Sequence, residues 1–131
     1  MGLIISTEEK KSLIQCQSET RYTYTLKRIA DTETMWSIVE NGNTFFIQHH
    51  GKMKLFPIWS AKEYARDFCV NERKNCQSIT INLDYFENSV IDFICEKGLY
   101  INVFPTVKEP LGQIVSLNKF AEDLSVFLED Y

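Results

Sequence analysis

The chain has 131 residues, of which 44% are hydrophobic, 13% aromatic and 24% charged, with five Gly and three Pro. That suits one compact domain with an ordinary core and excludes a collagen, a low-complexity linker or a disordered segment. A formal charge of -4 and a pI near 5.2 argue against a general nucleic-acid coat or a polybasic membrane binder, and no apolar run exceeds three residues.

The first helix signal is Ser6-Thr7-Glu8-Glu9, a reciprocal capping box that opens a segment reaching about Gln17. Tyr22, Leu26, Ile29 and Ala30 then fall at helical spacing between about Ser18 and Asp31. Two strands, Met35 to Glu40 and Thr44 to Gln48, flank Asn41-Gly42, whose residues tolerate the positive φ of a two-residue hairpin turn. That turn pairs Ile38 with Phe45 and Trp36 with Ile47. At His49-His50-Gly51 a two-residue turn would set Lys54 against Ile47, and burying a lone ammonium costs several kcal/mol. A three-residue loop with Gly51 left-handed instead sets Met53 against Ile47 and Leu55 against Phe45. The expectation is a three-stranded antiparallel meander from about Met35 to Trp59, with Trp36, Ile38, Phe45, Ile47, Met53 and Leu55 on its inner face.

Further along, Ser60-Ala61-Lys62-Glu63 and Asp84-Tyr85-Phe86-Glu87 repeat the capping pattern. The first opens a helix with Ala61, Tyr64, Ala65 and Phe68 on one side. The second opens one with Phe86, Val90, Phe93 and Ile94, stopped by Gly98. Ser78 to Asn82, Leu99 to Phe104 and Gln113 to Ser116 read as shorter strands, and Pro105 and Pro110 bracket an exposed loop. Phe120, Ala121, Leu124, Phe127 and Leu128 line a last helix capped by Ser116 or Asn118. The fold class expected is α+β. One domain spans 1-131, its N-terminal helices and meander extended into a mixed sheet of about six strands with helices packed on it.

Cys16, Cys69, Cys76 and Cys95 are too far apart for a C-x-x-C pair, and the start of the chain carries neither a basic leader nor a long apolar segment. Four reduced thiols in a cytoplasmic protein are expected, with Cys69 and Cys95 as small core hydrophobes. Met1-Gly2 followed by Ser6 matches the myristoylation pattern, which is short enough to arise by chance.

His49 and His50 are the only histidines; as strand neighbours they would face opposite ways, and in the expected register both lie in a hairpin loop. The two cannot both ligate one metal from regular β geometry, a metal site would need Cys69, Cys76 or nearby carboxylates as its other ligands, and none of the five glycines forms a phosphate loop. No nucleophile elbow is present, and most acids sit at caps or on polar helix faces. These readings predict no catalytic, metal or cofactor-binding residue and no cofactor.

Charge divides the chain. Lys52 to Lys74 holds six basic and three acidic residues, whereas Asp84 onward holds nine acids and three bases. Such a split arises from two solvated faces separated by accident of sequence, or from a protein-interaction surface with charge steering approach and an aromatic anchor. Lys54, Trp59, Lys62 and Arg66 are the candidate surface, although for a Trp in an aromatic-rich fold a core position covering the sheet end is the stronger reading. The basic stretch also admits a weak nucleic-acid contact, which the acidic remainder opposes.

Several pieces taken together resemble a bacterial family of unknown function, domain-of-unknown-function family 2750. They are Arg21-Tyr22-Thr23-Tyr24, Met35-Trp36-Ser37-Ile38, Pro57-Ile58-Trp59-Ser60 with Ala65, Ile81-Asn82-Leu83-Asp84-Tyr85-Phe86, and Gly98 with Val103-Phe104-Pro105. The resemblance covers about 18-128, leaving 1-17 as an extra N-terminal helix. The chain departs from it at Val70 to Cys76, where a Trp-Gly-Tyr-like stretch is usual. The resemblance implies a small cytoplasmic bacterial domain and supplies no activity. The function expected is a non-catalytic module that binds another protein, of immunity or regulatory type, without a membrane partner, and with weak nucleic-acid binding through the 52-74 basic stretch as a second alternative. The alternative is a ligand-binding or enzymatic domain with a pocket over the sheet near Trp36 or Trp59.

Overall fold

The computed structural model describes residues 6-129; Gly2 of the myristoylation pattern lies outside them. Helices α1 (Thr7–Gln15) and α2 (Ser18–Thr32) precede four strands, β1 (Thr34–Glu40), β2 (Thr44–Phe45), β3 (Gln48–His50) and β4 (Met53–Ile58). Helix α3 (Lys62–Phe68) and a single 3-10 turn at Asn71–Arg73 lead to β5 (Gln77–Asn82). A continuous helical segment follows: α4 (Leu83–Tyr85), a π-helical stretch at Phe86–Val90, and α5 (Ile91–Lys97). Strands β6 (Tyr100–Val103) and β7 (Gln113–Val115) and helix α6 (Leu117–Leu128) complete the α+β domain.

The strands form two sheets, ordered β2-β1-β5 and β3-β4-β6-β7. The first is antiparallel; in the second, β4 runs parallel to β6. One antiparallel bridge joins them, with Trp36 and Trp59 exchanging N–H···O bonds of 2.8 Å. The Ser37 hydroxyl adds a buried bond to the Pro57 carbonyl at 2.7 Å.

The expected meander does not form. Asn41 and Gly42 are left-handed, at φ 52° and 96°, as the turn signal requires. Asn43 also joins the loop, so Phe45 pairs with Val39 rather than Ile38. The chain then leaves β1, and by Gln48 it belongs to the other sheet. There the turn is Gly51-Lys52, pairing Gln48 with Leu55 and His50 with Met53. Of the six predicted inner residues, Ile38 and Leu55 are fully buried, while Trp36, Phe45, Ile47 and Met53 are half-buried. The cause lies in β1, which buries Met35, Ser37 and Val39 as well as Ile38. A strand covered on both faces no longer sets its neighbour's register by alternation. Lys54 stays exposed in the observed register too.

The helix ends are partly as expected. Ser6 and Ser116 cap α1 and α6, accepting from Glu9 N–H at 3.0 Å and Lys119 N–H at 3.1 Å. Gly98 ends α5 at φ 67°. Ser60 does not cap α3: its hydroxyl is buried without a hydrogen-bond partner among the described residues, and the chain enters the helix from an extended Ala61. The cap of α4 is Asn82 rather than Asp84, accepting from Tyr85 N–H at 2.7 Å, because β5 runs straight into the helix. Helices α2 and α6 pack on each other and on the sheets, α3 packs over β1 and β5, and Phe93 of α5 meets Phe45 and Phe56.

Candidate functional site

The parallel pair β4 and β6 ends at one place. In open α/β sheets ligand sites lie beyond such carboxyl ends, where the following loops diverge, and the parallel pair here has the same local arrangement. After β4 the chain passes Trp59 into α3; after β6 it passes Phe104 into a loop that returns to β7. The Phe104 N–H donates to Ile58 at 2.9 Å, so the two exits are tied together.

Phe104 is left-handed at φ 57°. For a bulky side chain this is a strained conformation that the surroundings must impose. Here the Phe104 ring meets Tyr64 of α3 at 4.5 Å, and the next carbonyl, Pro105, accepts from the Trp59 indole N–H at 2.9 Å. Gly112 lies directly behind: a Cβ there would stand 2.2 Å from the Val103 carbonyl oxygen, and its N–H donates to the buried Asn102 side chain at 2.8 Å. The strain at Phe104 is thus held by an aromatic contact, an indole hydrogen bond and a close backbone approach.

These contacts form the floor of a half-enclosed cleft of about 190 Å³. Tyr64 and Phe68 of α3, Phe104, Pro105 and Val107 make it apolar; Ile14 of α1 lines one side, and Asp67, Thr106 and Lys108 lie on the rim. The loop is braced by Thr106 and Glu109, whose N–H groups donate to the Glu109 carbonyl and the Thr106 hydroxyl, both at 2.9 Å. This leaves Val107 45% exposed at the mouth. Lys10 of α1 pairs with Asp67 at 2.5 Å and holds α1 against the cleft.

Beneath the floor lies Arg21, fully buried, its guanidinium 5.9 Å from the centre of the Phe104 ring. Its Nη1 donates to the Cys16 carbonyl and approaches Glu109 at 3.5 Å, while Nε and Nη2 have no partner among the described residues. Beside the cleft, burial pushes the Tyr64 phenol well above its ordinary pKa, helped by the nearby Tyr24 and Glu9, so it stays protonated at neutral pH. Tyr24 itself donates to Glu9.

The sequence-predicted surface is not assembled as expected. Trp59 is fully buried, its ring tilted against Phe68 with centroids 5.3 Å apart, and cannot anchor a partner from the surface. It positions the cleft from below. Lys62 and Arg66 stand one turn apart on the exposed side of α3, whereas Lys54 belongs to the β3–β4 hairpin opposite His49. Among the described residues no side-chain hydrogen bond or ion pair involves these three cations. Of the other basic residues in that stretch, Arg73 stacks on Phe68 at 3.8 Å and donates through Nε to its carbonyl at 2.8 Å. His49 and His50 occupy strand β3 rather than a loop, on opposite faces as alternation requires.

Among the described residues no group of three or more His, Cys, Asp or Glu could hold a metal ion. Burial pushes the Cys69 thiol up to about 11, aided by Cys76 and opposed by Arg73. Cys95, expected in the core, is exposed.

The residues that line the cleft, Ile14 apart, fall within a segment that places the chain in a family. Residues 22–124 match the model of a protein family of unknown function, DUF2750, and the chain belongs to that family. No curated protein and no solved structure matches it. Phe104 and Pro105 of Val103-Phe104-Pro105 line the cleft, and Ile58 and Trp59 of Pro57-Ile58-Trp59 hydrogen-bond to them from behind. Helix α1 lies outside the matched segment. No helix among the described residues is long and apolar enough to cross a membrane.

Proposed function

We propose that this protein is a non-catalytic interaction module of the cytoplasm that holds one apolar side chain of a partner protein in the Phe104 cleft. The cleft itself carries the reading. At about 190 Å³ it is smaller than the roughly 300–1,000 Å³ typical of sites for metabolite-sized ligands, and it matches a single aromatic or branched aliphatic side chain. Apolar walls with a charged rim are the anatomy of an interface hot spot, where a buried anchor supplies affinity and the rim supplies orientation. Val107 extends the apolar surface beyond the mouth, and Lys108 and Asp67 put one charge of each sign beside it.

The chemistry around the cleft favours binding over catalysis. The Tyr64 phenol is displaced upward, away from neutral pH, and the Cys69 thiol is raised rather than activated. Such a module works by occupancy, as an immunity or regulatory partner does.

Amide NMR shifts on titration with N-acetylphenylalaninamide or N-acetylleucinamide test the reading. At about −0.3 kcal/mol per non-hydrogen atom, single-residue probes of this size bind in the roughly millimolar range. Shifts should concentrate at Ile14, Tyr64, Phe68, Phe104 and residues 106–108, and N-acetylglycinamide should produce none. Absence of shifts there, or an equal response to the glycine probe, would overturn the proposal.

A further inference from the structure

Strand β5 closes the sheet β2-β1-β5 with an open edge. Three separate contacts fix which of its backbone groups point outward. Trp36 exchanges bonds with Trp59, the Ile38 carbonyl accepts from Phe46 N–H, and Leu83 N–H donates to the Glu33 carbonyl. The even-numbered residues of β1 therefore turn their backbone groups away from β5. In an antiparallel ladder their opposite numbers Ser78, Thr80 and Asn82 must turn theirs away from β1. The N–H groups of these three residues, and the carbonyls of Ser78 and Thr80, have no backbone partner among the described residues.

Exposed edges are normally protected by charge, Pro, a bulge or brevity. Strand β5 has none of these: Gln77-Ser78-Ile79-Thr80-Ile81-Asn82 is uncharged, six residues long, and in unbroken register with β1. The remaining edges are shorter, with two residues in β2 and three each in β3 and β7. Gln77, Thr80 and Asn82 are exposed.

We infer that β5 pairs antiparallel with β5 of a second copy of this chain, about a two-fold axis at Thr80, making one continuous sheet from the two β2-β1-β5 sheets. That register sets Thr80 against Thr80 and Ser78 against Asn82 of the other copy, so no like charges meet. The two Thr80 residues exchange a pair of N–H···O bonds, and each Asn82 N–H reaches the opposing Ser78 carbonyl. The flanking charge selects this occupant. Glu72, Arg73 and Lys74 before β5 carry one net positive charge, and Asp84 and Glu87 after it carry two negative charges. Two-fold pairing brings each basic end to the other copy's acidic end.

Light scattering after size exclusion tests this on the full chain. The wild type should be a dimer that dissociates on dilution. Thr80→Pro removes an outward N–H and no bond to β1, and should be monomeric with an unchanged circular-dichroism spectrum. Thr80→Lys, which opposes two ammonium groups across the axis, should also be monomeric and decides the matter should the Pro variant fail to fold. A wild type that stays monomeric at high concentration, including one whose edge takes a strand from a different protein, would overturn the inference. So would a Thr80→Lys variant as dimeric as the wild type.

Discussion

Replacing Trp59 with Phe removes the one side-chain hydrogen bond that holds the Pro105 carbonyl and with it the cleft floor. Trp59 is fully buried, its indole nitrogen lies 2.9 Å from that carbonyl oxygen, and its ring packs tilted against Phe68 with centroids 5.3 Å apart. The smaller ring leaves a void of about 40 Å³, which at about 24 cal/mol per Å³ amounts to about 1 kcal/mol. A buried carbonyl left without its donor costs about 1–3 kcal/mol more. Together these give a loss of about 2–4 kcal/mol. Trp36→Phe should cost about 1 kcal/mol or less, since Trp36 is only half-buried and its indole makes no hydrogen bond among the described residues. Urea unfolding of the two variants measures the difference, provided the slope stays that of the wild type. In thermal unfolding the Trp59 variant should melt roughly 6–15 °C lower. A Trp59→Phe change below about 0.5 kcal/mol, or equal losses at both positions, would refute the view that Trp59 braces the cleft.

Gly112→Ala should destabilise by about 2 kcal/mol or more, because its Cβ would meet the Val103 carbonyl oxygen at 2.2 Å; chemical denaturation measures this. Tyr22 donates to Asp123 at 2.6 Å, and this bond, aided by Lys119, holds the Asp123 carboxyl below its ordinary value of 3.8. A depressed folded-state value means that the stabilisation is present above the ordinary carboxylate range and is lost as pH falls through the lowered value. In Tyr22→Phe the Asp123 titration should move upward by NMR, and stability near neutral pH should fall by about 1 kcal/mol. Under native conditions near pH 8 iodoacetamide should modify exposed Cys95 well before Cys69, whose thiol burial pushes up to about 11; mass mapping of the first adduct checks the order.

Much of the helical half was legible from local chemistry. Ser6 and Ser116 were readable as caps, Gly98 as a stop and the apolar stripe of α2 as a helix face, because each signal concerns neighbours in the chain. The sheet was legible in its segments and not in its pairing. Asn41 and Gly42 announced their positive φ, yet Val39 is buried on the face opposite Ile38, and a strand with two covered faces does not tell its neighbour which residues to match. The parallel pairing of β4 with β6 depends on residues more than forty positions apart and left no local trace. The cleft was invisible for the same reason: Tyr64 and Phe104 look like ordinary core aromatics until the two strand ends are brought together. The nearest sequence signal was Val103-Phe104-Pro105, and Trp59 proved to be a core residue that works from beneath the site.

Nuclear Overhauser contacts from a bound N-acetylphenylalaninamide ring measure whether the Phe104 cleft receives an apolar side chain. The ring protons should show contacts to Phe68, Phe104 and the Val107 methyl groups, and Val107→Asp should abolish them while the fold persists. Contacts only to residues outside the cleft, or contacts unaffected by Val107→Asp, would contradict the account.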